Sequence, residues 1–496
     1  MHSVPSHLAR SALALLSPLA LMACATPSLD EAGRVAQAPP VPPGWSIPAP
    51  PVGTDVEQYW RMLDDPLLTQ FVTAARDNNL ELRQAAARAA QARASLRLAR
   101  AGFLPNANGT AGISRDIGDF SRDEFDFTIG ADVSWQADLF GRISSDVRAS
   151  QAELVAAGYS VGDLQRLIVG TVAQQTIAAR SAAVQLRIAR DTLANQDENL
   201  QIARWRLQAG LVSSLDVEQA RAQRAQTAAS IPALESDIAA SANAISTLIG
   251  EEPGRVRLLL SEPAAVPDPP ASVGLGAPAE LLRRRPDIRA AEARLAADAA
   301  RIDLAEAQLL PLVRLSGNIG TGATGIGDLF DIITGNLFAG ISQLIYDGGR
   351  TRAQIGIARA AADGSLAAWR LSVLQALEEV ETAAIDLDAA RDRVALFIEA
   401  RDAAQNAALL ARSQYQAGLI DFEVLLTAEN QLLSARNSVV AAQAARASSF
   451  VRLTQALGGG WSEGDVRFQI DPPEIILTGE EPPAAISSDE RERDGA

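Results

Sequence analysis

The chain repeats itself at a spacing of a little over two hundred residues. Leu104-Pro105 returns as Leu310-Pro311, Gly141-Arg142 as Gly349-Arg350, and Gln208-Ala209-Gly210-Leu211 as Gln416-Ala417-Gly418-Leu419, at offsets of 206, 208 and 208 residues. Between Arg83 and Pro105, 11 of 23 positions match Arg289 to Pro311. Alanine-rich sequence inflates such a count, so the identical turn residues at nearly constant offset carry the repeat. Whatever the chain folds into is one architecture drawn twice.

In the first copy Leu80 to Phe103 reads as a helix ended by Pro105. Ile143 to about Ala209 holds no Pro, with only Gly158, Gly162 and Gly170 as weak points. It can be one helix of about 67 residues, roughly 100 Å at about 1.5 Å per residue. Ser214 to Ile249 brings the chain back. The second copy follows the same plan, with helices at Pro286 to Leu309, Arg350 to about Tyr415 and Phe422 to about Ala456. Pro286 suits a first helical position, and Asp287 complements the positive end of the helix dipole. Helices this long exceed the usual globular length and point to coiled-coil-like assembly. Their apolar positions are mostly Ala, which lets neighbours approach closely and form a wall.

Short alternating stretches separate the short helices from the long ones. Phe125, Phe127, Ile129, Ala131, Val133 and Trp135 alternate with Asp126, Thr128, Gly130, Asp132, Ser134 and Gln136. This is period two over about the length of a tilted membrane strand. Trp135 ends the apolar row as a candidate membrane-interface girdle. Residues 106–114 and 312–320 are weaker strand candidates, and 337–345 is the least regular. A hairpin half-buried on a soluble core satisfies the same alternation; two hairpins, each between a short and a very long helix, favour the membrane. Four strands cannot close a barrel, and lipid does not tolerate an open edge. Two chains supply eight strands, whose interior side chains fill; three supply twelve and leave a lumen. The sequence thus predicts a homotrimer.

The N-terminus has a short apolar run, Ser11 to Ala20, behind Arg10, too short to span a membrane and shaped like a signal peptide. It ends in Leu21-Met22-Ala23-Cys24, which resembles a bacterial lipobox; an ordinary signal peptide with an incidental cysteine is the alternative. Lipidation of Cys24 would anchor the chain. In lipoproteins of this kind an Asp after the cysteine retains the product at the inner membrane; here Ala25 and Thr26 follow, which implies the outer membrane. The expected division is 1–23 signal peptide, 24–57 lipid-anchored extended tether, 58–250 first repeat, 251–278 Pro-rich linker, 279–460 second repeat, and 461–496 a C-terminal segment with a disordered acidic tail.

Composition excludes most chemistry. The only histidines, His2 and His7, lie in the leader, all 44 basic residues are Arg, and Cys24 is the single cysteine. No Ser-His or Cys-His pair, His/Cys zinc site, P-loop lysine or Schiff base can form in the mature chain. No enzyme activity, cofactor or metal is expected, apart from covalent lipid on Cys24. A net charge of −16 argues against nucleic acid as a partner.

Trp60, Asp65-Pro66-Leu67, Asn79-Leu80, Leu281 to Arg289 (LLRRRPDIR), Asp138-Leu139-Phe140-Gly141-Arg142 and Asp347-Gly348-Gly349-Arg350 closely resemble the TolC-like outer membrane factors. The nearest branch resembles the NodT-like outer membrane lipoproteins of RND multidrug efflux systems. The resemblance implies an α+β membrane protein. A trimer, four strands per chain, would form a transmembrane β-barrel joined to a long periplasmic α-helical barrel. The implied function is the exit duct of a tripartite efflux system, in the Gram-negative outer membrane. A periplasmic adaptor and an inner-membrane RND-type pump are its implied partners. A type I secretion duct and a lipid-anchored periplasmic spacer are the alternatives.

The turns Gly210-Leu211 and Gly418-Leu419 read as the far end of the tunnel, and the resemblance makes them candidate adaptor-docking points. Ser213 and Asp421 follow as candidate N-caps. Relatives commonly place a carboxylate and an apolar residue near the start of the last helix as a gate. That pattern sets Thr427 where Asp is usual and Glu423 where Leu is usual. Asp421, Glu423 and Thr427 are therefore the candidate periplasmic gate, with Glu423 and Thr427 one turn apart on one face; dipole complementation at the helix start is the alternative role for Glu423.

Overall fold

A computed structural model of the protein describes residues 41–47, 54–115, 117, 119 and 124–466. The leader, Cys24, most of the tether and the tail from 467 lie outside the described residues. The first repeat comprises helices α1 (Pro66–Asn78) and α2 (Leu80–Ala101), strands β1 (Asn106–Arg115) and β2 (Phe125–Ala137), and helices α3 (Arg142–Gln208) and α4 (Ser214–Leu248). Two short helices follow, α5 (Arg255–Leu260) and α6 (Pro278–Arg284). The second repeat comprises α7 (Pro286–Glu306), β3 (Leu312–Ala323), β4 (Ile333–Ser342), α8 (Arg350–Gln416) and α9 (Phe422–Ala456). α3 and α8 both have 67 residues, and α4 and α9 both have 35. No described helix is long and apolar enough to cross a membrane.

The four strands form one antiparallel sheet in the order β1-β2-β3-β4, so the two hairpins lie side by side with β1 and β4 at its edges. β3 runs past residue 320, as Ala323 still pairs with Phe127. The fourth strand is displaced from its expected 337–345: it starts at Ile333, opposite Thr321, and ends at Ser342, opposite Leu312. Beyond Leu312 stands Pro311, which has no N–H to continue a ladder, so Leu344 and Ile345 cannot extend the pairing.

The main core forms where the short helices brace the middle of the long ones. Tyr59, Trp60, Leu63, Leu68 and Phe71 pack against Ile168, Val172 and Ile177 of α3, Ile245 of α4, and Phe450 and Leu453 of α9, all buried. Caps fix the short helices. Asp65 Oδ1 accepts from Leu67 and Leu68 N–H (2.9 and 3.2 Å), while its Oδ2 meets Arg180 of α3 at 3.2 Å. Asn79 caps α2 through Leu82 N–H and donates to the Leu248 carbonyl at the end of α4 (2.9 and 2.8 Å). The family-like residues of the first repeat are thus chiefly caps and braces.

The structure adds three contacts to the flanks. The linker 251–278 contains α5, which forms because Val256 and Leu260 bury against the main core. The tether is fastened at 41–47: Trp45 Nε1 donates to the Gly276 carbonyl (2.8 Å), and Ser46 donates through N–H and hydroxyl to Glu381 (2.8 and 2.7 Å). The C-terminal segment begins inside the body, where buried Trp461 donates from Nε1 to the Arg284 carbonyl (3.0 Å).

Arg285, in the Arg-Arg-Pro-Asp-Ile stretch, is 2% exposed and joins three elements. It makes a forked pair with Asp287 (3.0 and 2.7 Å), reaches Glu379 of α8 (2.5 Å) and donates to the Ala456 carbonyl at the end of α9 (3.2 Å). Burial disfavours its charge, and these carboxylates more than offset that, pushing its pKa up. Arg285→Ala would leave Asp287 and a carbonyl unpaired at a cost of about 3–5 kcal/mol. Calorimetry of the purified chain should show a lower melting temperature, and Arg285→Lys, lacking the fork, should recover only part of it.

Candidate functional site: the sheet and the helical tip

The pairing register sorts the sheet into two chemically different faces. One carries Ile113, Phe125, Phe127, Ile129, Val133, Trp135, Leu315, Ile319, Ile333, Leu337 and Ile341. Apart from half-buried Phe127 these side chains are exposed rather than packed on a core: Leu337 is 92% exposed, Ile341 75% and Ile319 57%. The other face carries Asn106, Asn108, Thr110, Asp126, Thr128, Asp132, Arg314, Ser316, Asn318 and Asn336. Here Asn108 Nδ2 donates to Asp132 Oδ2 at 3.2 Å. The sorting has exceptions: Arg115 stands on the apolar face opposite Phe125, Leu312 and Phe338 fall on the polar face opposite Ser342 and Ser316, and the Phe338 ring lies over Gly340, where a Cβ would lie 2.5 Å from it. An apolar face of this extent, backed by a polar one, suits lipid outside and water inside.

At the base of the sheet two equivalent turns feed the strands into the long helices. Asp138 accepts from Ile143 N–H (3.0 Å) and from Ser144 N–H and hydroxyl (2.9 and 2.5 Å). Asp347 accepts from Gly349 N–H (2.9 Å) and from Thr351 N–H and hydroxyl (2.8 and 2.7 Å). Gly141 and Gly349 stand at the helix starts with φ of 74° and 89°, a conformation glycine adopts without cost. Trp135 lies at this end too, its Nε1 donating to the Phe103 carbonyl after α2 (2.9 Å).

At the opposite end both hairpins turn in the same way. Gly210 and Gly418 have φ of 72° and 71°. Leu211 N–H bonds the Arg206 carbonyl and Leu419 N–H the Gln414 carbonyl (2.8 and 2.9 Å), with Gly210 N–H on Leu207 and Gly418 N–H on Tyr415 (both 3.0 Å). Each is a Schellman turn, and Leu211 and Leu419 are 71% and 74% exposed. The expected caps diverge. Ser213 forms a reciprocal capping box with Asp216 (3.4 and 3.3 Å). Asp421 occupies the N-cap position without a side-chain cap bond; the third helical position there is Val424, which cannot return the reciprocal bond. Asp421, Glu423 and Thr427 are all exposed.

The polar contacts that tie the two hairpins together near this end involve other residues. Glu429 of α9, with its side chain 11% exposed, accepts from Asn199 Nδ2 of α3 (3.0 and 2.8 Å) and from Arg412 of α8 (2.9 Å). Asn430 Nδ2 donates to Gln223 Oε1 of α4 (3.2 Å). The Arg206 guanidinium lies 4.5 Å from the Tyr415 ring centroid and donates to the Tyr415 carbonyl (3.3 Å), so α3 and α8 are clamped just above the turns. The sequence signal was available: Glu429 interrupts the apolar series Leu425, Ala428, Leu432, and a carboxylate within an apolar stripe needs a partner.

An amphipathic four-stranded sheet on two helices of roughly 100 Å, each paired with a shorter one, defines a channel-forming outer membrane protein. The chain belongs to the outer membrane efflux protein family, whose model matches residues 71–251 and 277–459, one match in each repeat. The pyoverdine export outer membrane protein OpmQ of Pseudomonas putida is 30% identical over 475 residues, covering 92% of this chain and 98% of the relative. The toluene efflux pump outer membrane protein TtgF, from another strain of Pseudomonas putida, is 31% identical over 427 residues, covering 82% and 86%. The solved outer-membrane channel OprN superposes with a TM-score of 0.79 at 32% identity, covering 86% of this chain and 98% of that one.

The two helix-start aspartates make a pH prediction. Burial pushes the Asp138 pKa up, but the Ser144 hydroxyl and the N–H groups of Ile143, Ser144 and Arg142 hold it below the ordinary carboxylate value. The Thr351 hydroxyl and N–H do the same for Asp347. A depressed pKa gives stability that is complete above the unfolded value of about 3.9 and is lost as pH falls through the folded one. Hydrogen exchange in the first turns of α3 and α8 should be flat from neutral pH to about 4, after allowance for intrinsic rates, and should rise below that. Asp347→Asn should remove the acid dependence from α8 alone.

Proposed function

We propose that the protein is the passive exit duct of a tripartite efflux system, carrying small molecules from an inner-membrane pump and a periplasmic adaptor to the exterior. One observation carries this reading: a sheet with one exposed apolar face, one polar face and two unpaired edges. Such a sheet is stable in hydrocarbon only when its edges close on other copies, and three copies make a twelve-stranded barrel with a lumen. The α3/α4 and α8/α9 pairs of three chains continue that lumen as a helical tunnel. Trp135 sits at one membrane interface of the barrel. Cys24, lipidated, holds each chain to the same membrane. The duct performs no catalysis and uses no cofactor; energy and cargo selection lie in the pump.

The exposed turns Gly210-Leu211 and Gly418-Leu419 are the docking points for the adaptor. Three copies of Glu423, one turn below Thr427 and close to Asp421, form an anionic constriction at the tunnel mouth, and like charges held together oppose closure. The Glu429 cluster holds the two hairpins together against that repulsion. These assignments rest on the exposure of the first set and the burial of the second.

Two measurements test the reading. A strain lacking the gene should accumulate more of a fluorescent efflux dye than the same strain complemented; equal accumulation would remove drug efflux as the cargo. In planar bilayers, Glu429→Ala should raise the open-to-closed ratio of the purified channel by roughly tenfold or more, since a charged hydrogen bond contributes about 1.5–3 kcal/mol. Glu423→Ala should instead alter the permeability to large antibiotics, and unchanged permeability would remove Glu423 from the gate.

A further inference from the structure

The loop joining β3 to β4, residues 324–332, lies at the end of the sheet away from the helices and carries exposed Ile326, Phe330 and Ile332. A loop at the mouth of a barrel can arch over the opening, stand up in water or turn outward, and the contacts of this one fix its direction. Thr321 pairs with Ile129 on one side and Ile333 on the other, so its side chain stands on the apolar face of the sheet. Its hydroxyl donates to the Leu329 carbonyl, which holds the loop on that side. Leu329 is 7% exposed, whereas Phe330 beside it is 68% exposed. The apolar face loses exposure at the same corner: Phe127, Thr321 and Ala323 are half-buried, and Phe127 and Ala323 are paired. Within the loop, Asp328 N–H bonds the Gly325 carbonyl and Asp331 N–H the Asp328 carbonyl (3.2 and 3.1 Å), so its shape is defined by its own backbone.

We propose that this loop is a lipid-facing ledge: Ile326, Phe330 and Ile332 enter the hydrocarbon of the exterior leaflet, and the loop leaves the lumen uncovered. The proposal rests on the barrel reading above. Arg115 stands opposite Phe125 with its guanidinium 5.2 Å from that ring's centroid. It marks the outer edge of the apolar band, because an Arg stem lies along apolar surface while its head stays with water and headgroups. Ile129, the partner of Thr321, is four residues further along β2 than Phe125. At about 3.3 Å per residue and a tilt of roughly 40°, it lies about 10 Å inside that edge. Apolar faces that rest on a bilayer sink about 5–10 Å into its boundary, so the loop's attachment matches that depth. Asp328 and Asp331 are also exposed, and a carboxylate is costly at the bilayer centre, which keeps the loop at the boundary with these two among the headgroups. A neighbouring chain would meet the sheet at its edges, β1 and β4, whereas the covered corner belongs to the central pair, β2 and β3. The surface that continues from the loop, through Ile319 and Ile333, is the one that meets lipid.

The test places one fluorescent thiol label at Phe330→Cys in the full chain, assembled in vesicles of phosphatidylethanolamine and phosphatidylglycerol. Ile319→Cys is the control on the apolar face and Asn336→Cys the control on the polar face. Cys24 is the only native cysteine, and the unsubstituted chain gives its background. Quenching is read with nitroxides carried at shallow or deep positions on the lipid acyl chains, and with iodide in the water. At Phe330 the shallow nitroxide should quench more than the deep one and more than iodide. At Ile319 the deep nitroxide should lead, and at Asn336 iodide. Iodide ahead of both nitroxides at Phe330 would put the loop in water and overturn the proposal; protection from all three quenchers would put it against another chain and overturn it equally. Ile326→Cys carries the same comparison if the Phe330 variant does not assemble. An Ile319 label that no nitroxide reaches would remove the barrel reading and the ledge together, while an Ile319 label in lipid beside a Phe330 label in water would remove the ledge alone.

Discussion

A β-sheet in hydrocarbon has nowhere to hide an unpaired N–H or C=O, and the edges of this sheet, β1 and β4, belong to a chain whose described residues offer four strands. Assembly is therefore built into the strand count. The helices inherit the same condition. Their small residues and modest apolar stripes suit packing against neighbours of the same kind, and along α8 Leu371, Leu374, Ile385 and Leu396 are exposed rather than packed into the protomer's core. A single protomer is a segment of a wall, and its exposed apolar surface is distributed accordingly.

Within that wall, stability is uneven along the tunnel. The large aromatic and aliphatic side chains and the buried pairs Asp65–Arg180 and Arg285–Asp287 concentrate where the short helices brace the long ones. Toward the tip the core thins to Leu200, Ala220, Ala408, Ala411, Tyr415, Phe422, Leu425 and Ala428. There the hairpins are joined by Glu429, Asn430 and Arg206, which exchange partners more readily than a packed core can rearrange. A firm waist and a lightly fastened end let the end move without unfolding the body.

Much of the fold was legible because its signals are long or repeated. The long helices were marked by the absence of proline between Arg142 and Gln208, and their turns by glycines whose left-handed geometry the structure shows at Gly210 and Gly418. β2 was clear from strict alternation. β4 was not, because Gly335, Gly340 and the inward Phe338 break its period, and only the ladder with β3 fixes its ends. Asp421 looked like a cap by residue type and occupies the cap position, yet its side chain makes no cap bond. At the tip Glu429 stood out as a carboxylate in an apolar stripe, but its partners Asn199 and Arg412 did not, because they lie 230 and 17 residues away from it and no local pattern encodes that proximity.

The matched lengths of α3 with α8 and of α4 with α9 restrict how this protein can change. Both hairpins begin at the same kind of aspartate turn and end at the same kind of glycine turn, so their tips finish level only while the counts agree. Losing one residue from either long helix would shorten it by about 1.5 Å and rotate everything beyond by about 100°, turning buried faces outward and leaving the rim uneven. Length variation in the duct should therefore arise in paired steps, one in each repeat, preferably by whole turns.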